Sequence, residues 1–223
     1  MSARSLADSL RNRSVSAREV MTAFLKQIAR FNPKINAIVA KLDDEKCLAL
    51  AGEADRRLAQ GDDVGPLHGL PFAFKDMDPA VGFPLTRGSP IFRDFMPAED
   101  SVLVERLKRG GVIPIGKTNV SEFGMGSHTY NDVYGTTLNP YDLTKSAGGS
   151  SGGAGAALAA GLLPLATGSD LGGSLRNPAN FNNIVALRPT VGLVPSAPTA
   201  LPFLGFTVKG PMARSVADVA FLL

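Results

Sequence analysis

Two glycine-rich runs, Gly148-Gly149-Ser150-Ser151-Gly152-Gly153 and Gly168-Ser169-Asp170-Leu171-Gly172-Gly173-Ser174, constrain this chain more than any other feature. Glycine reaches conformations closed to other residues and lets a second backbone come close. The first run opens an alanine-rich stretch at helical spacing, Gly152 to Gly161, and the second follows an apolar run, Leu163 to Thr167, that reads as a strand. Ser174 onward reads as the start of another short helix. Two physical readings stand for these runs. One is tight packing around a slim helix. The other is an anion or oxyanion site, because glycine-rich turns entering helices expose unpaired N–H groups. In both runs a serine stands directly behind paired glycines.

The remaining segments set the fold class. Ser16 with Glu19 is a capping box, and Val20, Met21, Phe24, Leu25, Ile28 and Phe31 follow at helical spacing until Asn32-Pro33 stops the run. A second helix is expected from about Asp43 to Gln60, ended by Gly61. After Gly65-Pro66 the texture changes. Short apolar runs, Leu70 to Phe74 and Val112 to Ile115, flank a helical stretch from Ser101 to Arg109 that closes at Gly110-Gly111. Strand, helix, strand in that order indicates βαβ units and the α/β class, a sheet layered with helices. The last segment reads as a helix capped by Ser215. Val216, Val219, Ala220, Leu222 and Leu223 would give it an apolar surface, so self-association or further sequence after Leu223 is expected.

Composition narrows the function. The 23 Lys and Arg against 20 Asp and Glu leave a net charge of +3, too small to make nucleic acid or an anionic membrane the expected partner. The single cysteine, Cys47, allows no intramolecular disulfide, and with two histidines, His68 and His128, far apart, a metal cluster is not expected. The amino terminus lacks the apolar core of a secretory signal, and Ala154 to Ala166 is too short to span a bilayer. A cytoplasmic setting is expected.

One short motif misleads. Gly111-Val-Ile-Pro-Ile-Gly116-Lys117-Thr118 fits the phosphate-loop pattern letter by letter, but its intervening residues are themselves a strand rather than a turn after one.

A hydroxyl nucleophile needs a proton acceptor and a nest of backbone donors. Either histidine could serve only as the base of a serine triad, and both read more simply as loop residues. Lys75 is the other available base. It ends the apolar run Pro71-Phe72-Ala73-Phe74, where desolvation would lower its pKa toward the neutral amine.

Phe74-Lys75-Asp76, the Gly148–Gly153 run, and Gly168 through Ser174-Leu-Arg-Asn-Pro178, followed by Leu187-Arg188-Pro189-Thr190, resemble the amidase signature family, in order and from about Ser5 to the last residue. The resemblance implies a mixed sheet layered with helices, with 1–64 an N-terminal helical region and 65–223 the signature core of one domain, incomplete at its C-terminal end. It implies Ser174 as nucleophile, Ser150 as the bridging serine after a cis peptide, and Lys75 as base through that bridge. Backbone N–H groups of Leu171, Gly172, Gly173 and Ser174 would form the oxyanion hole, with Asp170 and Arg176 bracing the loop and Ser151 beside the triad. Ala147 stands where the family often has proline, and family members are substantially longer.

The expected function is hydrolysis of a carboxamide C–N bond in a small-molecule amide through an acyl-serine, with no metal or cofactor. Two rivals are the A subunit of glutamyl-tRNA amidotransferase, which acts on glutamine, and a non-catalytic truncated binding or interaction domain. The stretches Asn139 to Ala147 and Ser169 to Pro178 favour a stand-alone amidase over the first.

Overall fold

Four helices begin on a serine whose backbone is extended and whose hydroxyl accepts the N–H three residues on. Ser2 takes Ser5, Ser16 takes Glu19, Ser101 takes Val104 and Ser215 takes Asp218. This is the N-cap interaction that satisfies one of a helix's orphan donors. The computed structural model describes residues 1–199 and 205–223.

Helix α1 (Ala3–Arg11) was not foreseen, although Ala3, Ala7 and Leu10 bury one face of it. Helix α2 (Ala17–Ile35) starts at the expected capping box but runs through Pro33 instead of stopping there. Proline's fixed φ suits a helix, and in the last turn its missing N–H forfeits only one bond. The stop is Asn36, at φ 51° and ψ 49°, with Asn32 Oδ1 accepting the N–H groups of Ala37 and Ile38. Helix α3 (Asp44–Gln60) ends at Gly61 as expected. It is tied back to α2 by Asp55, which accepts the Ala17 N–H at 2.6 Å.

Strand β1 (Ile38–Val39), strand β2 (Pro71–Lys75), helix α4 (Val102–Arg109) and strand β3 (Ile113–Thr118) form the first layer. β2 and β3 run parallel with α4 as the crossover, and β1 pairs antiparallel on the far edge of β3. Lys117 and Thr118 lie inside β3 and are fully buried. The phosphate-loop letters are therefore a strand.

A short ribbon, β4 (Leu138–Asn139) with β5 (Asp142–Ser146), leads into the first glycine turn. Helix α5 (Gly152–Ala159) follows, with Gly152 through Leu158 all buried. Strand β6 (Leu165–Asp170) pairs antiparallel with β8 (Val208–Ala213), whose other edge carries β7 (Val185–Ala186). β6 begins two residues later and ends three later than expected, with Pro164 standing just ahead of it. Helix α6 (Arg176–Phe181) leaves the second glycine turn. The architecture is the expected mixed α/β arrangement, with one parallel pair and the other pairings antiparallel among the described residues.

Helix α7 (Val216–Leu222) corrects the expected apolar surface. Val219 packs into the core, and Leu222 is half-buried against it together with Phe221. Of the five residues expected on that surface, only Val216, Ala220 and Leu223 are exposed. Asp218 turns inward to accept the Arg4 N–H at the start of α1.

The packing leaves no room for a side chain at Gly153. A Cβ there would meet the Asn119 backbone N–H and lie 2.6 Å from the Ala37 carbonyl oxygen, so α5 touches its neighbours backbone to backbone. Gly153→Ala is expected to cost about 3 kcal/mol or more of folding stability, measured by urea unfolding. An effect below about 1 kcal/mol would contradict this packing.

Candidate active site

The site is built on a buried amine. β2 is apolar along its length and delivers Lys75 at its end, with no exposure to solvent. Its amine lies 2.8 Å from each of three hydroxyls, Ser150, Ser151 and Ser169. A neutral amine fills this arrangement by donating to two hydroxyls and accepting from the third. Burial pushes the Lys75 pKa down from 10.5 to about 7, Lys209 acts the same way, and Asp78 and Asp170 oppose them. Near pH 7 roughly half of such amines are uncharged.

Each serine arrives by a different route. Ser150 follows a cis peptide bond after Gly149, as the resemblance implied. Gly149 itself abuts the His128 backbone, 2.9 Å from where a Cβ would sit. Ser151 stands just before α5 but turns its hydroxyl to Lys75 rather than capping the helix. Ser169 comes from β6, and its N–H reaches the Ser151 hydroxyl at 3.3 Å. Sequence reasoning assigned Ser169 no role, although it stood inside the second glycine run.

Beyond β6 the chain is gathered around Asp170, which is fully buried. Its carboxylate accepts the N–H groups of Gly173 at 2.8 Å and Leu175 at 3.1 Å, and Nε and Nη2 of Arg176, both at 3.0 Å. Arg188 adds an ion pair at 3.3 Å, which gives a function to a motif residue that had none. Burial alone would raise this carboxyl's pKa, but the Arg176 guanidinium and the two backbone donors outweigh it and hold the group well below the usual carboxylate range.

Ser174 sits half-buried on the turn so clamped. Among the described residues, its hydroxyl and the N–H groups of Leu171, Gly172 and Ser174 have no hydrogen-bond partner, whereas the Ser151 N–H reaches the Ser174 carbonyl at 3.3 Å. The geometry differs from expectation at Gly173, whose N–H is already committed to Asp170. Gly173 serves here as part of the clamp. Ser150 is joined to Lys75 but not, in this state, to Ser174.

Neither histidine side chain enters the site. His68 is buried with Nε2 3.0 Å from the Ala54 carbonyl, and His128 is exposed with its ring against Phe181. Among the described residues no cluster of His, Cys, Asp or Glu has the makeup of a metal site, and no helix is long and apolar enough to cross a membrane. A cavity of about 450 Å³ opens beside Asp78 and Lys209, with Arg87 and Ser101 also in its wall. Ser174 lines neither this cavity nor a second one of about 300 Å³ near Leu107 and Phe221.

These features have counterparts in known proteins. A family profile described as Amidase matches residues 19–223. The chain is 42% identical over 217 residues to the A subunit of the glutamyl-tRNA(Gln) amidotransferase of Acidothermus cellulolyticus, covering 97% of this chain and 43% of that protein. It is also 42% identical over 223 residues to an acylamidase of Rhodococcus erythropolis, covering 100% of this chain and 46% of that one. The crystal structure of a bacterial aryl acylamidase of the amidase signature family superposes on all of this chain with a TM-score of 0.90 at 33% identity, over 46% of its own length. The chain thus spans less than half the length of these relatives. With buried lysine, serine pair and glycine turn in the expected order, and with the profile matching most of its length, the chain belongs to the amidase signature family.

Proposed function

We propose that this chain carries the catalytic residues of an amidase that cleaves a carboxamide C–N bond through an acyl-serine on Ser174. The observation that carries the reading is the Lys75 amine, buried and 2.8 Å from the Ser150 hydroxyl, beside a turn whose nucleophile and three N–H groups have no partner among the described residues.

Ser174 Oγ attacks the carbonyl carbon while its proton passes to Ser150 Oγ and the Ser150 proton passes to Lys75 Nζ. The relay closes when Ser174 turns to Ser150, a contact of the kind that tightens only with substrate bound. The N–H groups of Leu171, Gly172 and Ser174 hold the oxyanion, and Asp170 with Arg176 keeps their turn rigid. Collapse of the tetrahedral intermediate breaks the C–N bond. The leaving amine takes the proton back along the same path, and water then repeats the sequence to release the acid. Ser151 and Ser169 hold the Lys75 amine in place. The substrate is a small-molecule amide. The setting is cytoplasmic, in keeping with a single, buried cysteine, Cys47.

The names of several relatives support amide hydrolysis, among them the acylamidase and an indoleacetamide hydrolase of Bradyrhizobium diazoefficiens. A second reading, glutamine hydrolysis as in the amidotransferase relative, is favoured by the equal 42% identity to that protein and to the acylamidase. Release of ammonia from glutamine, assayed beside hydrolysis of an anilide, separates the two.

Ser174→Ala is expected to lower anilide hydrolysis by about 10³-fold or more while circular dichroism stays unchanged. Activity near wild type would sink the assignment. The same lysine makes a stability prediction. Its pKa falls from 10.5 when unfolded to about 7 in the fold, and that of Lys117, also by burial, to about 8. Above those folded values the unfolded chain binds more protons, so stability rises with pH. Lys75→Met should remove the part of the rise that begins near pH 7, read by urea unfolding between about pH 6 and about pH 9. An unaltered slope would mean that Lys75 keeps its charge in the fold.

A further inference from the structure

Several charges packed around Lys75 take no part in the relay. Asp78 lies three residues beyond Lys75 and ties three strands together. Its N–H donates to the Lys75 carbonyl at 2.9 Å, its carbonyl accepts from Lys117 Nζ at 2.5 Å, and its carboxylate is ion-paired with Lys209. Both partners of that pair are largely buried, at 2% and 14% side-chain exposure, too enclosed for water to screen their charges. Lys209 stands directly opposite Ser169 in the β6–β8 register. Cross-strand partners project to the same face of a sheet, and the Ser169 hydroxyl is already on the Lys75 amine. Lys209 therefore belongs to the face of β8 that looks toward Lys75.

We propose that Lys209, fixed by Asp78, is a positioning residue for the lysine–serine relay, a second cation beside Lys75 that favours the uncharged amine the relay requires. The inference rests on Lys75 being the base. Like charge near an amine disfavours its protonated form, and Lys209 is the foremost charge acting on Lys75 in that direction. The other charged groups around Lys75 are accounted for. On its own segment, Asp76 is held by the Thr86 hydroxyl and backbone and faces Lys117. From β3, Lys117 is engaged by the Asp78 carbonyl. From β6, Asp170 is occupied by Arg176 and Arg188. The serine turn contributes only hydroxyls.

The test follows the Lys75 side chain directly, by the ¹³Cε shift of lysine-labelled protein through a pH titration, its signal assigned with Lys75→Met. Lys209→Met should raise the Lys75 midpoint and Asp78→Asn should lower it, each by about one pH unit. Lys209→Arg should leave it near wild type, and the double variant, which has no orphaned charge, should fall between the single variants. The acid limb of amide hydrolysis should move with the midpoint. Midpoints that stay put, or that move in one direction in both single variants, would overturn the proposal, since a loss of packing alone carries no sign. If Lys209→Met does not fold, Lys209→Gln takes its place, with the same rise of the Lys75 midpoint expected and an unmoved midpoint overturning the proposal. A wild-type chain that hydrolyses no amide while its Lys75 midpoint moves in opposite directions would sink the functional reading and uphold the electrostatic one.

Discussion

The structure depends on keeping one amine out of water. Lys75 at the end of β2 has no contact with solvent and, among the described residues, only three hydroxyls within reach. A charged ammonium in that place would be costly, and the group responds by losing its proton near pH 7 rather than near 10.5. That response turns an ordinary lysine into a base at neutral pH. It requires serines from the first glycine turn and from β6 to be brought to the same point.

The glycines follow from this requirement. Ser150 and Ser151 reach Lys75 because α5 is slim enough to pack closely, Gly153 against the backbone of Ala37 and Asn119 and Gly155 against Pro178 and Asn182, where a Cβ would strike. Gly168, beside Ser169, would drive a Cβ into the Ser151 hydroxyl at 2.7 Å. The second turn is a separate unit with its own logic. Asp170 collects two arginines and three backbone donors, so the carboxylate stays charged and the turn stays folded around Ser174. Two electrostatic centres therefore lie side by side, one neutral by desolvation and one ionised by pairing.

How much of this the sequence revealed depended on whether the signal was local. Lys75 was legible because a charge at the end of a buried strand is anomalous by itself, and Ser150 and Ser174 because glycine pairs mark close approach. The helices with serine caps were legible at their starts, except α1, where Ser2 and the spacing of Ala3, Ala7 and Leu10 gave a readable but unread signal. Pro33 misled because a proline in a final turn loses little. The commitment of the Gly173 N–H to Asp170 depends on turn geometry, which residue types do not specify. Lys209 was out of reach for another reason. Its partner Asp78 is 131 positions away, and only the pairing of β6 with β8 brings it to the Lys75 side.

The central claim is that Ser174 is made nucleophilic through Ser150 by the neutral amine of Lys75. The most direct measurement is intact-mass analysis of the folded protein after reaction with a serine-directed fluorophosphonate, with the labelled peptide then sequenced. The account predicts one adduct, on Ser174, formed much more slowly in the Lys75→Met protein. An adduct on another serine, or equal labelling with and without the lysine, would contradict it.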